Sequence, residues 1–371
     1  MKKTINFILL LLAAGWMMSA CEEADSTFKE FIVEGGLVYP GRATSPLAHS
    51  GKHKVLLTWL RGTDPSVTSA KVFWDNYTDS VSVPIPANAD TISVLIDNLI
   101  EKPYSFQIVT YDDKGNVSVP VELLTAAYGD KYQASLLSRP VDLTVSSING
   151  TLSLQWGSPD IANGAIASEL KYVNADDETI TMRIPAEVDE SSVTGLKPGT
   201  GFTYRTIFLP DSLSIDTFYT EFRENDSFIF DKEDWEIIDF STEHGGDDNA
   251  VENVIDGTDG TRWHSWSNKS SYPHHVTIDM GAERTVTEFA VWRTTFENGG
   301  DDRAPDKIQF LVSLDNVTWT DMGVFDFNRF INGEQLYEMP EGTQARYFRF
   351  VGVAGPNNGN FVLGEISAYG L

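Results

Sequence analysis

The chain is poor in cysteine, in basic residues and in long apolar runs, and each shortage excludes something. One cysteine in 371 residues rules out a disulfide within the chain, so every domain must rely on its own core. Twenty-seven basic residues against 54 acidic ones leave a formal net charge of −27, a surface that repels nucleic acid and anionic lipid headgroups. The same balance tolerates neutral ligands, attracts cations, and is also simply a way to stay soluble. The apolar run Phe7 to Trp16 is too short to span a bilayer comfortably. The patterns of common catalytic chemistry are missing too: there is no G-x-S-x-G elbow, no phosphate loop, no HExxH and no cysteine in a catalytic setting. Carboxylates are so numerous that their presence alone does not mark the spaced pair a glycosidase needs. An enzyme is not the expectation.

What is present begins with Lys2 and Lys3 ahead of that apolar run, followed by Met18-Ser19-Ala20-Cys21. Small residues before a cysteine resemble a bacterial lipoprotein signal. The resemblance implies removal of residues 1–20 and lipidation of Cys21, with residues 21–34 as the anchor and its tether. Acyl chains contribute ~0.8 kcal/mol per buried CH₂, enough together to hold a protein to a membrane without a spanning helix. Glu22-Glu23-Ala24-Asp25 resembles the surface-export signal of Bacteroidota lipoproteins, so the expected location is the outer face of the outer membrane.

Aromatics at 12%, with frequent Gly and Pro, favour many short strands. Lys54–Leu60 (KVLLTWL) and Ala70–Trp74 (AKVFW) are β-rich, and Thr91–Ile96 and Tyr104–Tyr111 alternate as half-buried strands do. Asp112 to Asn116 (DDKGN) reads as a hairpin turn. A second copy comes next, with LSLQW at Leu152–Trp156 echoing LLTW at Leu56–Trp59. Leu196-Lys-Pro-Gly-Thr-Gly-Phe-Thr-Tyr204 resembles the fibronectin type III corner, and Leu99 to Tyr104 matches it more loosely. The resemblance implies two Ig/fibronectin III-like sandwiches, over 35–134 and 135–228, with Trp59 and Trp156 in their cores. The charged run at 223–234 (RENDSFIFDKED) reads as a boundary.

Beyond it come Asp256-Gly257, Thr261-Arg262-Trp263, Val276–Gly281, Phe289–Arg293, Ile308–Ser313, Asn316-Val-Thr-Trp319, Ala345–Phe350 and Gly364–Tyr369. In order and spacing these resemble the discoidin, or F5/8 type C, domain, many bacterial members of which are carbohydrate-binding modules with a galactose-binding-like jelly roll. The fold expected is therefore all-β: tandem antiparallel sandwiches, the last being a discoidin jelly roll over 229–371. The resemblance also implies a structural calcium, held by the Asp256 carboxylate, the Thr261 oxygen, the backbone carbonyls of Asn253, Thr258 and Gly364, and Glu365 from the far end of the chain. Position 258 often carries Asp or Asn in the family, and the Thr here lowers the ligand charge. The other reading of Asp256 is a tight turn with a local cap and no ion.

Sugar-binding members of the family place an Arg, an Asn and an aromatic on loops at one end of the sandwich, which map to Arg293, Asn298 and Phe361. Trp266, three residues after the core candidate Trp263, is a second aromatic platform, and Arg303 stands ready in the acidic loop at 297–303. His264 either hydrogen-bonds a sugar hydroxyl or is a satisfied structural histidine, and Phe361 either faces a ligand or tucks under its own loop. The expectation is a lipid-anchored surface protein that binds a glycan beside an outer-membrane glycan transporter. The alternative is an adhesion scaffold whose tandem sandwiches bind a partner protein.

Overall fold

The structure, a computed structural model, describes residues 36–267, 269–297, 301–356 and 360–371. Cys21, the tether and Asn298 lie outside the described residues. The protein is nearly all β, and the chain divides into two compact units, one ending at Ala127 and the other beginning at Tyr128.

In the first unit a three-stranded sheet holds Lys54–Leu60 between Thr44–Gly51 and Thr91–Asp97. A four-stranded sheet orders Asp79–Pro84, Val67–Trp74, Lys102–Asp112 and Val121–Ala127. The alternation read from the sequence sets this up: Val55, Leu57 and Trp59 on one sheet share a core with Val72, Phe106 and Ile108 on the other. Tyr104 donates its hydroxyl to the Ile100 carbonyl at 3.0 Å, fixing the corner into its strand.

The second unit starts with a short helix, Asp130–Ser135, which is held to the second sandwich because Tyr128 and Tyr132 pack on Phe218. A five-stranded sheet centred on Ala165–Val173 and Phe202–Phe208 shares a core with Leu152–Trp156, where the Trp156 indole donates to the Ser191 hydroxyl at 2.8 Å. The last part of the chain is built on the long strand His274–Trp292. Its first half pairs with Glu236–Phe240 and Gln344–Ala354, and its second half with Gln335–Glu338 and Glu365–Gly370. Trp263, Phe289, Phe310, Phe348 and Phe350 fill the core.

The stretch at 223–234, read from its charge as a boundary, is folded. Phe228–Phe230 pairs in parallel with Val141–Ser146 on one side and antiparallel with Glu365–Gly370 on the other. One sheet therefore runs from the second sandwich into the last domain. Phe228 fills the core of the former and Phe230 that of the latter, an apolar alternation hidden among acidic neighbours. Gly281, at φ +80°, belongs to the same junction. A Cβ there would stand 2.8 Å from the Ile148 side chain and 3.1 Å from the Asp234 carbonyl oxygen.

Candidate functional site

The loop from Asn253 to Trp266 separates two clusters of charge. On one side, Arg262 and His264 face Phe296, Glu297, Asp301 and Arg303. Asp301, its side chain 4% exposed, accepts from the Arg303 side-chain Nε at 2.8 and 2.9 Å and from the Arg303 backbone N–H at 3.0 Å. Burial works against the Asp301 carboxylate, but these bonds overcome it and hold its pKa below the usual range; the same pairing raises that of Arg303. Arg303 Nη1 then donates to His264 Nε2 at 3.0 Å, while the other ring nitrogen of His264 bonds the Ser265 carbonyl. Burial first, and the neighbouring guanidinium next among the opposing charges, push this imidazole below its ordinary pKa. His264 is thus a buried, neutral acceptor with both nitrogens engaged. It aims Arg303 instead of offering a free nitrogen to a ligand.

Arg262 donates to Asn249 Oδ1 at 3.0 Å and to Glu297 Oε1 at 2.8 Å, and its guanidinium lies 4.6 Å from the centre of the Phe296 ring. Thr294 and Thr295 tie the strand end back to the loop through the carbonyls of Thr261 and Asp259. Phe296 is exposed, and Trp266 is 50% exposed with Lys269 over its ring at 4.9 Å. The rim therefore offers guanidinium donors, the Glu297 acceptor and the exposed Phe296 ring, with Trp266 exposed two residues along the chain from His264.

Phe361 is a correction. It is 0% exposed, packed against Trp263 at 4.7 Å, His274 at 5.3 Å and Phe350 at 6.3 Å, so it cannot serve as a platform. Gly352 makes the room: a Cβ there would stand 2.5 Å from the Phe361 ring. Arg293 is tied elsewhere, donating to Asn332 Oδ1 and, at 2.8 Å, to the Arg329 carbonyl. It braces the loop carrying the exposed Phe330, over which Arg329 stacks at 4.2 Å. Trp266 is exposed as the spacing from buried Trp263 requires. Arg262, Phe296, Glu297 and Asp301 were missed as a set. Arg303 signalled itself in the sequence only as a basic residue in an acidic loop.

On the other side of the loop lie the residues expected to hold calcium. The Thr261 hydroxyl gathers oxygens from Asp256 Oδ2 at 2.7 Å, the Thr258 carbonyl at 3.2 Å and the Asn253 carbonyl at 3.5 Å. The loop also reaches the last strand, because the Gly257 N–H donates to Glu365 Oε2 at 3.2 Å. Asp256 is satisfied within the loop, accepting the Thr258 N–H at 3.0 Å. The remaining Glu365 oxygen faces the Lys232 ammonium, an ion pair between a partly buried lysine and a buried carboxylate, with side chains 13% and 5% exposed. Among the described residues no three His, Cys, Asp or Glu side chains come together as metal ligands. With Lys232 in place, an ion-binding set that includes Glu365 does not fit, since the lysine already matches that carboxylate.

An F5/8 type C domain model matches residues 237–365. A sialidase of Micromonospora viridifaciens is 32% identical over 82 residues, and the chain spans only 12% of that curated relative's length. Among solved structures, the C-terminal domain of a chitobiase from Bacteroides fragilis is 25% identical, covering 38% of this chain and 97% of that one at a TM-score of 0.35. A putative chitobiase fragment from Bacteroides thetaiotaomicron is 28% identical, covering 38% and 92% at 0.35. A family 32 CBM from C. perfringens, solved in complex with galactose, is 17% identical, covering 38% and 98% at 0.34. A further model, described as a domain of unknown function, DUF4998, matches residues 21–218, more than half of the sequence; the chain belongs to this DUF4998 family and carries an F5/8 type C domain at its C-terminal end.

Proposed function

We propose that the chain is a lipid-anchored surface protein that binds a neutral glycan at the rim formed by Arg262, Trp266, Phe296, Glu297 and Arg303, as an accessory to polysaccharide capture. The observation that carries this reading is the Arg303 guanidinium, fixed by buried Asp301 and His264 beside exposed aromatic faces. Sugars present hydroxyls and flat C–H faces, and fixed forks with aromatic platforms answer both. Asp301 and Glu297 offset the charges of Arg303 and Arg262, so the rim favours hydroxyl donors and acceptors over a carboxylated ligand. The F5/8 type C match supports binding over hydrolysis. The signal-like run ending in Cys21 supports the anchor, with a glycan transporter at the outer membrane as the expected neighbour.

Glycan-array screening of the whole chain tests the reading. Binding of a neutral saccharide that is lost in Trp266→Ala and Phe296→Ala, with unchanged melting, is the expected result. A chain that binds no glycan but captures a transporter subunit would favour the scaffold reading instead. Replacing Cys21 by Ser is expected to move the protein from the membrane fraction to the soluble one.

A further inference from the structure

We propose that Lys232 is the structural cation of the F5/8 type C domain: its ammonium takes the place between loop and last strand for which the family resemblance expects calcium. Glu365 sets the requirement. A carboxylate in a low-dielectric interior must be matched in charge and in hydrogen bonds. The chain itself supplies the charge match, as the Lys232 ammonium forms an ion pair with one oxygen, and the Gly257 N–H donates to the other at 3.2 Å.

Lys232 is placed there by its backbone. Asp231 donates its N–H to the Ser146 carbonyl at 2.9 Å, and the Trp235 N–H donates to the Lys232 carbonyl at 3.0 Å. Trp235 is itself anchored against Phe348, with ring centres 5.5 Å apart. Lys232 thus leaves a strand that is paired on both sides and enters a turn pinned by a buried indole. Its stem passes near Trp235, the ammonium lying 5.6 Å from that ring.

A divalent ion on Glu365 would have to share that carboxylate with this ammonium, and two cations at one acceptor repel. Occupation by one excludes the other. The lysine also does what a loop-to-strand ion would not, because it arrives from the segment that joins the second sandwich to the last domain. One charge pair therefore ties three stretches: residues 231–235, the loop at 256–258, and the final strand Glu365–Gly370. This tie belongs to the scaffold of the domain and stands apart from the glycan reading.

The test is thermal melting of the full chain in EDTA and in millimolar calcium, with terbium luminescence as a direct probe of the oxygen set. The unaltered chain is expected to melt at the same temperature in both and to give no sensitised terbium emission. Lys232→Met is expected to melt about 6–20 °C lower, and to recover part of that loss in calcium once the oxygens are free. A chain that loses stability in EDTA, or that lights up terbium while Lys232 is present, overturns the proposal. So does Lys232→Met melting like the unaltered protein. If that variant fails to fold, the two measurements on the unaltered chain still decide.

Discussion

The two charge clusters that flank the loop from Asn253 to Trp266 are built alike and serve different ends. Each buries a carboxylate, Glu365 or Asp301, and each answers it with a cation from elsewhere in the chain. Around Glu365 the cation is a lysine, a point charge without a fork, whose pKa burial pushes down to about 7. Around Asp301 it is an arginine whose planar fork satisfies the carboxylate and still reaches His264, at a surface where Trp266 and Phe296 are open. A buried ion pair by itself therefore says nothing about function. What distinguishes a binding rim from a structural tie is spare hydrogen-bonding capacity next to exposed aromatic surface.

Substitutions should separate the two clusters, and the one at Glu365 should act most strongly. Glu365→Ala removes the carboxylate that pairs with Lys232, and breaking such a pair costs up to roughly 3–5 kcal/mol. Calorimetry should show that loss. Were glycan affinity to vanish while melting held, the two clusters would have swapped roles. Arg303→Lys keeps the charge but loses the fork, and should weaken glycan binding about 10- to 100-fold by titration calorimetry, with a smaller effect on melting. Trp266→Ala should cost less, about 0.5–1.5 kcal/mol of binding, and nothing measurable in stability.

The smallest effect is in pH. The folded pKa of His264 lies below its unfolded value, so its contribution is complete above about 6.5, the ordinary imidazole pKa. It is lost progressively as pH falls from there toward the lower folded value. Affinity should therefore decline on acidification below about pH 6.5, as a protonated ring no longer accepts from Arg303. His264→Gln, which retains an acceptor that does not titrate, should flatten that profile.

Much of the fold was legible in the sequence because strands announce themselves locally. Lys54–Leu60 and Leu152–Trp156 begin and end where the alternation places them, and Trp59, Trp156 and Trp263 are all core. The site was less legible because its decisive contacts are distant in sequence. Phe361 looks exposed in a run of Asn and Gly until Gly352 is found beneath it, on a neighbouring strand. His264 looks available until Arg303, 39 residues on, is found at its ring nitrogen. Lys232 sits in a run so charged that nothing local marks it as the charged member that turns inward to Glu365. Local pattern reveals which face a residue takes, and it is silent on which remote group has already claimed that residue's polar atoms.

The shared strand Phe228–Phe230 has a practical consequence for cleavage. A protease scanning for acidic, linker-like sequence would choose 223–234, yet Ile229 is in register with Val145 on one edge and Tyr369 on the other. To fit an enzyme's active-site groove this segment must first peel away from two neighbours at once, which exposes Phe228 and Phe230 to water. Limited digestion should consequently spare the seam and leave residues 128–371 as one resistant fragment.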